Sequence, residues 1–279
     1  MAEIPSLRDT VEKYELLAKK SLGQNFLLDM NITRKIVRSS LAARHKADFA
    51  GENVIEVGPG PGGLTRAILE ADPQKVTVIE MDSRCIEIMR ELKAANTVNM
   101  QIVEGDALAY DFAAVPTPVN IISNLPYNIS VPLLTGWLKN MPHYASLTLM
   151  FQKEVAERIV AVPNHKNYGR LSVLAQLTSK VTPLFNLPPT CFVPAPKIWS
   201  SVLLFEPQMR ADVTPQVLEN VEKITALAFG QRRKMIRQSL KALPNLEACC
   251  QAANIDLTAR AENLTPEDYL HLALTKAVK

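Results

Sequence analysis

Short apolar runs alternate with stretches of helical length from residue 53 onwards, and this alternation limits the possible folds more than any other feature of the sequence. The runs lack the polar alternation of half-exposed strands, as expected for strands buried on both faces of a sheet. They lie at residues 54–57, 76–79, 101–103 and 119–122. Stretches at about 62–71 and 83–95 separate them and are long enough for helices. This pattern predicts an α/β fold built on a doubly wound parallel sheet.

The pattern continues with two more predicted strands and then becomes helical. The strands are expected at 147–151 and 202–205, with helices at about 153–162 and 171–176 between them. After Pro207 the predicted helices lie at 215–229, 231–243, about 246–253 and 266–275. We therefore predict a first domain over residues 1–208, which holds the sheet, and a small all-helical domain over residues 209–279.

The composition argues against several classes of protein. The chain has 279 residues, of which 47% are hydrophobic, and a formal net charge of +3, so it is not strongly basic. Its four cysteines show neither zinc spacing nor the pattern of a disulfide scaffold, and its four histidines are scattered without ligand spacing. No apolar run approaches the length that crosses a bilayer. We expect a cytoplasmic protein without a metal site or a membrane segment.

A glycine-rich segment, residues 56–63, follows the first predicted strand and opens the first helix. Glycines such as Gly58 and Gly60 let the backbone approach a ligand closely, whereas the two prolines argue against a phosphate cradle, which needs free N–H groups. Glu80, after the second strand, is placed to accept ribose hydroxyls, and Asp106, after the third, could accept an adenine amino group. The set favours the adenosyl part of S-adenosylmethionine. NAD is the main alternative, but it usually requires a G-x-G-x-x-G turn.

The segment Asn124-Leu125-Pro126-Tyr127 follows the fourth strand, where open α/β sheets bind ligands. The amide oxygen of Asn124 and the carbonyl of Leu125 could accept both hydrogens of an aromatic amine, while the ring of Tyr127 stacks on the base. Such a site positions the nucleophile without deprotonating it. The pattern favours methylation of an exocyclic amine, and an ordinary proline turn after a strand is the alternative.

Several segments together resemble the ribosomal RNA adenine N6-dimethyltransferase family. They are Lys20–Leu27, Glu56–Gly60, Asn124–Ile129, Phe192–Lys197 with Ser200–Val202, and Phe229–Lys234. The resemblance implies a Rossmann-like S-adenosylmethionine-dependent methyltransferase domain followed by a helical domain. It also implies that Asn124 and Tyr127 handle the target adenine, with Phe192 as a second wall. The cofactor contacts that it implies are Asn25, Leu27, Gly58, Glu80, Asp106 and Asn124.

Within that family, the sequence is similar to the bacterial enzymes that act on 16S rRNA. The resemblance implies dimethylation of two adjacent adenosines in a small-subunit rRNA loop by a monomer that meets the RNA or the immature 30S particle. The open alternatives are a large-subunit rRNA methyltransferase of the macrolide-resistance type and a non-catalytic assembly or transcription factor on the same fold. DNA adenine methylation fits less well, because those enzymes usually carry Pro where Leu125 stands.

The predicted helix over residues 231–243 has two stripes at helical spacing. An apolar stripe would anchor it: Ile236, Leu240 and Leu243. A basic stripe would face outward: Arg233, Arg237 and Lys241. We interpret the basic stripe either as a solvated face or as a surface that grips the rRNA backbone. In the first case, the RNA would be held elsewhere, by Lys19, Lys20, Arg34 and Arg38.

Overall fold

The computed structural model describes residues 5–16 and 25–275. The first half of this region contains α1 (Leu7–Lys13), β1 (Phe26–Leu27), α2 (Met30–Ala43), β2 (Asn53–Val57), α3 (Gly63–Leu69), β3 (Lys75–Glu80), α4 (Ser83–Ala94), β4 (Asn99–Glu104), β5 (Val119–Ser123) and α5 (Tyr127–Lys139). The second half contains β6 (Tyr144–Gln152), α6 (Lys153–Ile159), α7 (Arg170–Thr178), β7 (Ser179–Leu187), β8 (Phe192–Val193), β9 (Ser200–Pro207), α8 (Pro215–Gly230), α9 (Ile236–Ser239), α10 (Leu246–Ala252) and α11 (Pro266–Leu274). The predicted α/β fold class is confirmed.

The central sheet has the strand order β4-β3-β2-β5-β6-β9-β7. From β4 to β6 neighbouring strands are parallel, and β9 is antiparallel to β6. The chain runs outward from β2 to β4 and then returns to the other side of β2, so the strand order reverses between β2 and β5. Ligands of open α/β sheets bind in the crevice at the carboxyl ends of the strands at such a reversal.

The crevice opens because β2 and β5 separate before they end. Their paired residues run from Asn53 with Val119 to Ile55 with Ile121 and then stop. Beyond that point the N–H of Val57 donates to the side-chain oxygen of Ser123 at 2.8 Å, which satisfies a buried donor that the ladder no longer reaches. The two strand ends can therefore splay apart without leaving that group unpaired.

Local capping fixes where the elements near the crevice begin. The carboxylate of Asp82 accepts the N–H of Arg84 at 3.0 Å and caps α4, so the chain turns sharply after β3 ends at Glu80. In the same way, Asp29 accepts the N–H of Asn31 at 2.8 Å and caps α2. These turns keep the strand ends short and place their polar residues at one edge of the sheet.

The described residues divide into two compact units whose limits differ from the predicted domains. The first unit takes residues up to 134 together with 143–153 and 182–206, and the second takes 135–142, 154–181 and the chain from 207 onward. The predicted boundary at 208 thus omits α6 and α7 from the second unit. Val173 and Leu177 of α7 belong to the core of that unit, together with Tyr168 from the segment before α7. The ring centroid of Phe229 lies 5.9 Å from that of Tyr168 and 5.8 Å from that of Tyr269.

The predicted helix over 231–243 is wrong, since α9 covers only Ile236–Ser239. The N–H of Ile236 donates to the carbonyl of Ala259 at 2.8 Å, and that of Arg237 donates to Leu257 at 3.2 Å. A helix starting at 231 would need these donors for its own carbonyls, so this pairing with a distant segment prevents it. The apolar stripe is buried as expected. The basic residues Arg233, Arg237 and Lys241 are all exposed, but they do not share a continuous helical face.

Strand β7 was not predicted from the sequence. It lies at the end of the sheet next to β9, only its first and last side chains are buried, and it contains Pro183. A proline is tolerated in an edge strand because one side of that strand makes no ladder hydrogen bonds. The lack of a continuous apolar run therefore hid the strand.

Candidate active site

The glycine-rich loop after β2 lies directly against β1. Gly60 has φ +55°, and a Cβ built on it would lie 2.9 Å from the ring of Phe26. A Cβ on Gly63 would lie 2.5 Å from the backbone oxygen of Leu27. Glycine is required at both positions because β1 fills the space that a side chain would need. This close approach brings the predicted N-terminal contacts, Asn25 and Leu27, to the same cleft as Gly58 and Gly60.

Glu80 ends β3 and is buried, with 8% of its surface exposed. Its Oε1 accepts the N–H of Met81 at 2.7 Å and that of Asp82 at 2.9 Å, whereas Oε2 has only a 3.4 Å contact with the N–H of Gly60. Burial raises the pKa of Glu80, and the three backbone donors oppose that rise. Oε2 is therefore the oxygen with unused acceptor capacity. Glu80 lines the same cleft as Gly58, Gly60 and Asn25.

A second pocket adjoins the first and shares Glu80 with it. Asp106 lines this pocket, and its Oδ1 accepts the N–H of Leu108 at 2.9 Å. Met81 and Leu108 also line it and are large apolar side chains with 69% and 50% of their surface exposed. An acceptor flanked by two exposed apolar groups suits a flat heterocycle with an amino group. Sequence reasoning missed Met81 and Leu108, because nothing in the sequence marks these apolar side chains as exposed.

Asn124 follows β5 and lines the first cleft together with Leu125 and Tyr127. Its Nδ2 donates to the carbonyl oxygen of Asn25 at 3.0 Å. This bond fixes the orientation of the amide, because the alternative flip would bring two oxygens together. Oδ1 is then left as an acceptor in the cleft, which is the arrangement that binding of an amine requires. The side chain of Leu125 is buried.

Tyr127 begins α5 and is held by a contact that the sequence does not indicate. Its hydroxyl lies 3.0 Å from the side-chain oxygen of Ser200, at the start of β9. Burial raises the pKa of Tyr127, and the bond to Ser200 lowers it by less, so the phenol stays neutral at physiological pH. The ring of Tyr127 is thus held at both ends, by the backbone at its Cβ and by the bond to Ser200 at its hydroxyl.

A second carboxyl group, Glu56, lines the same cleft as Glu80 and is 2% exposed. Thr65 donates a hydrogen bond to its Oε2 at 2.6 Å. Burial, with a further contribution from the charge of Glu80, raises the pKa of Glu56 to about 8. Glu56 is therefore mostly protonated at neutral pH in this state. The sequence pattern around Glu56, the first residue of the glycine-rich segment, does not indicate this role.

Phe192 pairs across the small sheet with Leu27, as β8 and β1 are antiparallel. Only 3% of its surface is exposed, and its ring belongs to the hydrophobic cluster beneath the sheet. It does not line the cleft that contains Asn124 and Tyr127. Its role as a second wall for the base stays a prediction, which requires the ring to become uncovered.

The residues proposed to grip RNA are placed unevenly. Arg34 forms an ion pair with Glu70, with Nε 2.7 Å from Oε2. Lys19 and Lys20 lie outside the described residues.

Within the described ranges no group of His, Cys, Asp and Glu could hold a metal ion. No helix in those ranges is long and apolar enough to cross a membrane.

This sheet order, with a glycine-rich first loop and an acid at the end of the next strand, is that of a Rossmann-like S-adenosylmethionine-dependent methyltransferase. A model of the ribosomal RNA adenine dimethylase family matches residues 16–277. The chain belongs to this family. The predicted enzyme class and the predicted cofactor are confirmed.

Relatives of known name support the same assignment. Ribosomal RNA small subunit methyltransferase A of Sinorhizobium medicae is 49% identical over 275 residues, which are 97% of each chain. The protein of the same name from Rhodospirillum rubrum is 46% identical over 271 residues, 97% of this chain and 92% of the relative. Among solved structures, a dimethyladenosine transferase from Plasmodium falciparum has a TM-score of 0.72 at 27% identity and covers 88% of this chain and 94% of its own. The 23S rRNA methyltransferase ErmE shares the fold, with a TM-score of 0.65 at 24% identity over 89% and 98% of the two chains.

Proposed function

We propose that the protein transfers methyl groups from S-adenosylmethionine to N6 of two adjacent adenosines in a loop near the 3′ end of 16S rRNA. The products are N6,N6-dimethyladenosines made during ribosome biogenesis. The orientation of the Asn124 amide carries the chemical part of this proposal, since its donor is occupied and its acceptor is open to the cleft. The names of the relatives support the small-subunit target.

The cofactor supplies a sulfonium-bound methyl group that is already activated for displacement. The protein then has to align the adenine amine with that methyl group, and alignment alone can contribute several kcal/mol to a two-reactant step. Asn124 Oδ1 and the carbonyl of Leu125 would accept the two amine hydrogens, so that the nitrogen lone pair points at the methyl group. Tyr127 would stack on a base that has been turned out of its RNA stack.

The same geometry implies that the two transfers are not equivalent. The unmodified amine has two hydrogens for two acceptors, whereas the monomethylated amine has one. One of the two acceptors, Asn124 Oδ1 or the Leu125 carbonyl, must then release its partner before the second transfer. The second step is therefore held by fewer hydrogen bonds and depends more on stacking against Tyr127.

Glu80 and Asp106 would hold the two ends of the adenosine part of the cofactor. Glu80 Oε2 would accept ribose hydroxyls, because its contact with Gly60 is long at 3.4 Å. Asp106 would accept the adenine amino group with the oxygen that does not cap Leu108, between the exposed side chains of Met81 and Leu108.

We also propose that the second compact unit contacts rRNA, through the exposed Arg233, Arg237 and Lys241, and that the enzyme acts as a cytoplasmic monomer on immature 30S particles. The three basic residues are exposed and form no ion pair within the described part of the chain, which supports a role for them with phosphates. Replacing all three with Gln should weaken binding and lower the log–log salt slope by up to about 0.7 per lost phosphate contact in single-stranded RNA. An unaltered salt slope in the triple variant would show that other residues bind the RNA phosphates.

The experiment that tests the target uses purified enzyme, labelled S-adenosylmethionine and immature 30S particles or unmodified 50S particles. Mass spectrometry of nuclease fragments should find two adjacent dimethyladenosines in the small-subunit RNA only. The Asn124→Ala variant is the matched control for catalysis. Modification of the large-subunit RNA would replace the proposed target, and binding to 30S particles without methyl transfer would indicate a non-catalytic factor.

A further inference from the structure

The loop between β8 and β9 exposes an aromatic side chain next to the catalytic segment. Trp199 has 49% of its surface exposed and directly precedes Ser200, whose side chain holds the hydroxyl of Tyr127. Because β9 runs antiparallel to β6, its first residues lie at the edge where the parallel strands end. Trp199 therefore lies at the same edge of the sheet as the cofactor and amine sites, but it lines neither pocket.

Two lysines flank this tryptophan. The backbone N–H of Lys153 donates to the carbonyl of Trp199 at 2.9 Å, and Lys197 lies two residues earlier in the loop. Both lysines are exposed, and neither forms an ion pair with a carboxylate of the described residues. By contrast, Arg84, at the cofactor end of the same edge, is neutralised by Asp82 at 2.6 Å. The patch formed by Lys153, Lys197 and Trp199 thus combines unpaired positive charge with an open aromatic surface.

This combination is suited to single-stranded nucleic acid. Bases stack on exposed aromatic rings irrespective of their identity, while nearby cations follow the phosphates. A target adenosine that turns out of its stack to reach Tyr127 leaves its neighbour without a stacking partner on one side. An exposed indole beside the catalytic segment can replace that lost partner, and the lysines can neutralise the adjoining phosphates.

We propose that Trp199 stacks on a nucleobase that flanks the target adenosine, with Lys153 and Lys197 on phosphates of the same strand. The inference rests on the proposed function, since it takes an unpaired rRNA loop as the substrate. Trp199 would then be a substrate-positioning residue that determines how the loop enters, with no part in cofactor binding.

Tryptophan fluorescence tests the contact directly. The chain has two tryptophans, and Trp137 is 2% exposed, so quenching by added RNA reports chiefly on Trp199. An oligonucleotide with the small-subunit target loop should quench wild-type emission and leave Trp199→Phe emission almost unchanged. Trp199→Ala should raise the KM for this RNA by about tenfold or more, while kcat and the affinity for S-adenosylmethionine stay unchanged. Trp199→Phe should keep most of the wild-type KM, because it keeps a ring.

The lysines are tested by salt dependence with a matched control. Lys153→Gln with Lys197→Gln should lower the salt slope of RNA binding. Lys75→Gln with Lys93→Gln removes the same charge at the opposite edge of the sheet, where β3 begins and α4 ends, and should leave the slope unchanged.

The outcomes separate this inference from the proposed target. An unchanged KM in Trp199→Ala overturns the inference and leaves the target untouched. If the wild type methylates large-subunit RNA instead, the proposed target is wrong. The quenching assay is then repeated with that RNA, where quenching supports the stacking contact and unchanged emission overturns it. If Trp199→Ala weakens binding to 30S particles but not to the isolated RNA loop, Trp199 contacts a ribosomal protein and the inference is wrong.

Discussion

Glu80→Gln should weaken S-adenosylmethionine binding by about 1.5 to 3 kcal/mol, the usual contribution of a charge-assisted hydrogen bond. Glutamine has the shape of the glutamate and can keep its amide oxygen on the short bonds to Met81 and Asp82, at 2.7 and 2.9 Å. The NH2 group must then take the position of Oε2. There it meets the N–H of Gly60, also a donor, and it cannot accept a ribose hydroxyl.

Calorimetry should therefore find a Kd raised by about 12- to 160-fold, with little change in the fold by circular dichroism. Glu80→Ala should bind at least as weakly, because it also leaves the N–H groups of Met81 and Asp82 without their acceptor. Glu104→Gln is the matched control, since Glu104 pairs with Glu80 across β3 and β4 but is exposed and lines neither pocket.

The pH dependence gives a second, independent reading of the same site. Burial raises the pKa of Glu80, and the proposed contact with the ribose hydroxyls requires the ionised carboxylate as an acceptor. Wild-type affinity should therefore fall as the pH is lowered through that raised pKa, and Glu80→Gln should lack this part of the dependence. Equal affinity in Glu80→Gln and wild type would refute the assignment. An equal loss in Glu104→Gln would show that the effect is only one of overall charge.

Three further predictions follow from the catalytic segment and the buried acid. Asn124→Ala should remove most methyl transfer in single-turnover assays while calorimetry still detects cofactor binding, and a near wild-type rate would contradict the role of the amide oxygen. Tyr127→Phe and Ser200→Ala should each lower kcat/KM by about 2- to 12-fold, which corresponds to the loss of one hydrogen bond of about 0.5 to 1.5 kcal/mol. The double variant should lose no more than either single variant, because both remove the same bond. Tyr127→Ala should lower kcat/KM far more. Burial raises the pKa of Glu56 in the folded protein to about 8, above the ordinary glutamate value of 4.5. The folded state therefore binds more protons than the unfolded state between these values, so wild-type stability should decline as the pH rises through them. Glu56→Gln should show a flatter Tm across this range, and parallel Tm curves would refute the buried neutral acid.

The cofactor half of the site could be predicted because its information is local. Each acceptor follows its own strand, and the carboxyl ends of parallel strands meet at one edge, so chain order alone placed Glu80 near Asp106. The exposed apolar residues Met81 and Leu108 are equally local, but an apolar side chain has no sequence mark that separates exposure from burial. Glu56 escaped notice because its raised pKa depends on how completely the loop and α3 cover it.

The parts of the structure that differ from the predicted ones depend on contacts that are distant in sequence. Helical spacing over 231–243 is a real property of the chain, and the apolar stripe is buried as that spacing requires. The backbone donors of Ile236 and Arg237 nevertheless bond to Ala259 and Leu257. Tertiary pairing thus outweighed local propensity, as it does for many short helices. The domain limits differed for a similar reason, because α7 packs with helices that lie much later in the chain.

The catalytic segment itself is held from two directions by residues far away in sequence. Asn124 is fixed by a backbone carbonyl 99 positions earlier, and Tyr127 by a serine 73 positions later. Neither contact involves the strand that carries Glu80. Asn25 and Asn124 are nevertheless both predicted cofactor contacts, so only the bond between Tyr127 and Ser200 is separate from the predicted cofactor site. A reaction that relies on alignment with an activated methyl group is sensitive to small displacements of the aligned groups. Loosening the hold on Tyr127 should therefore reduce the rate of transfer more than the affinity for the cofactor. Both holds depend on residues that are distant in sequence, so the four-residue motif can be recognised from the sequence while the bonds that fix it cannot.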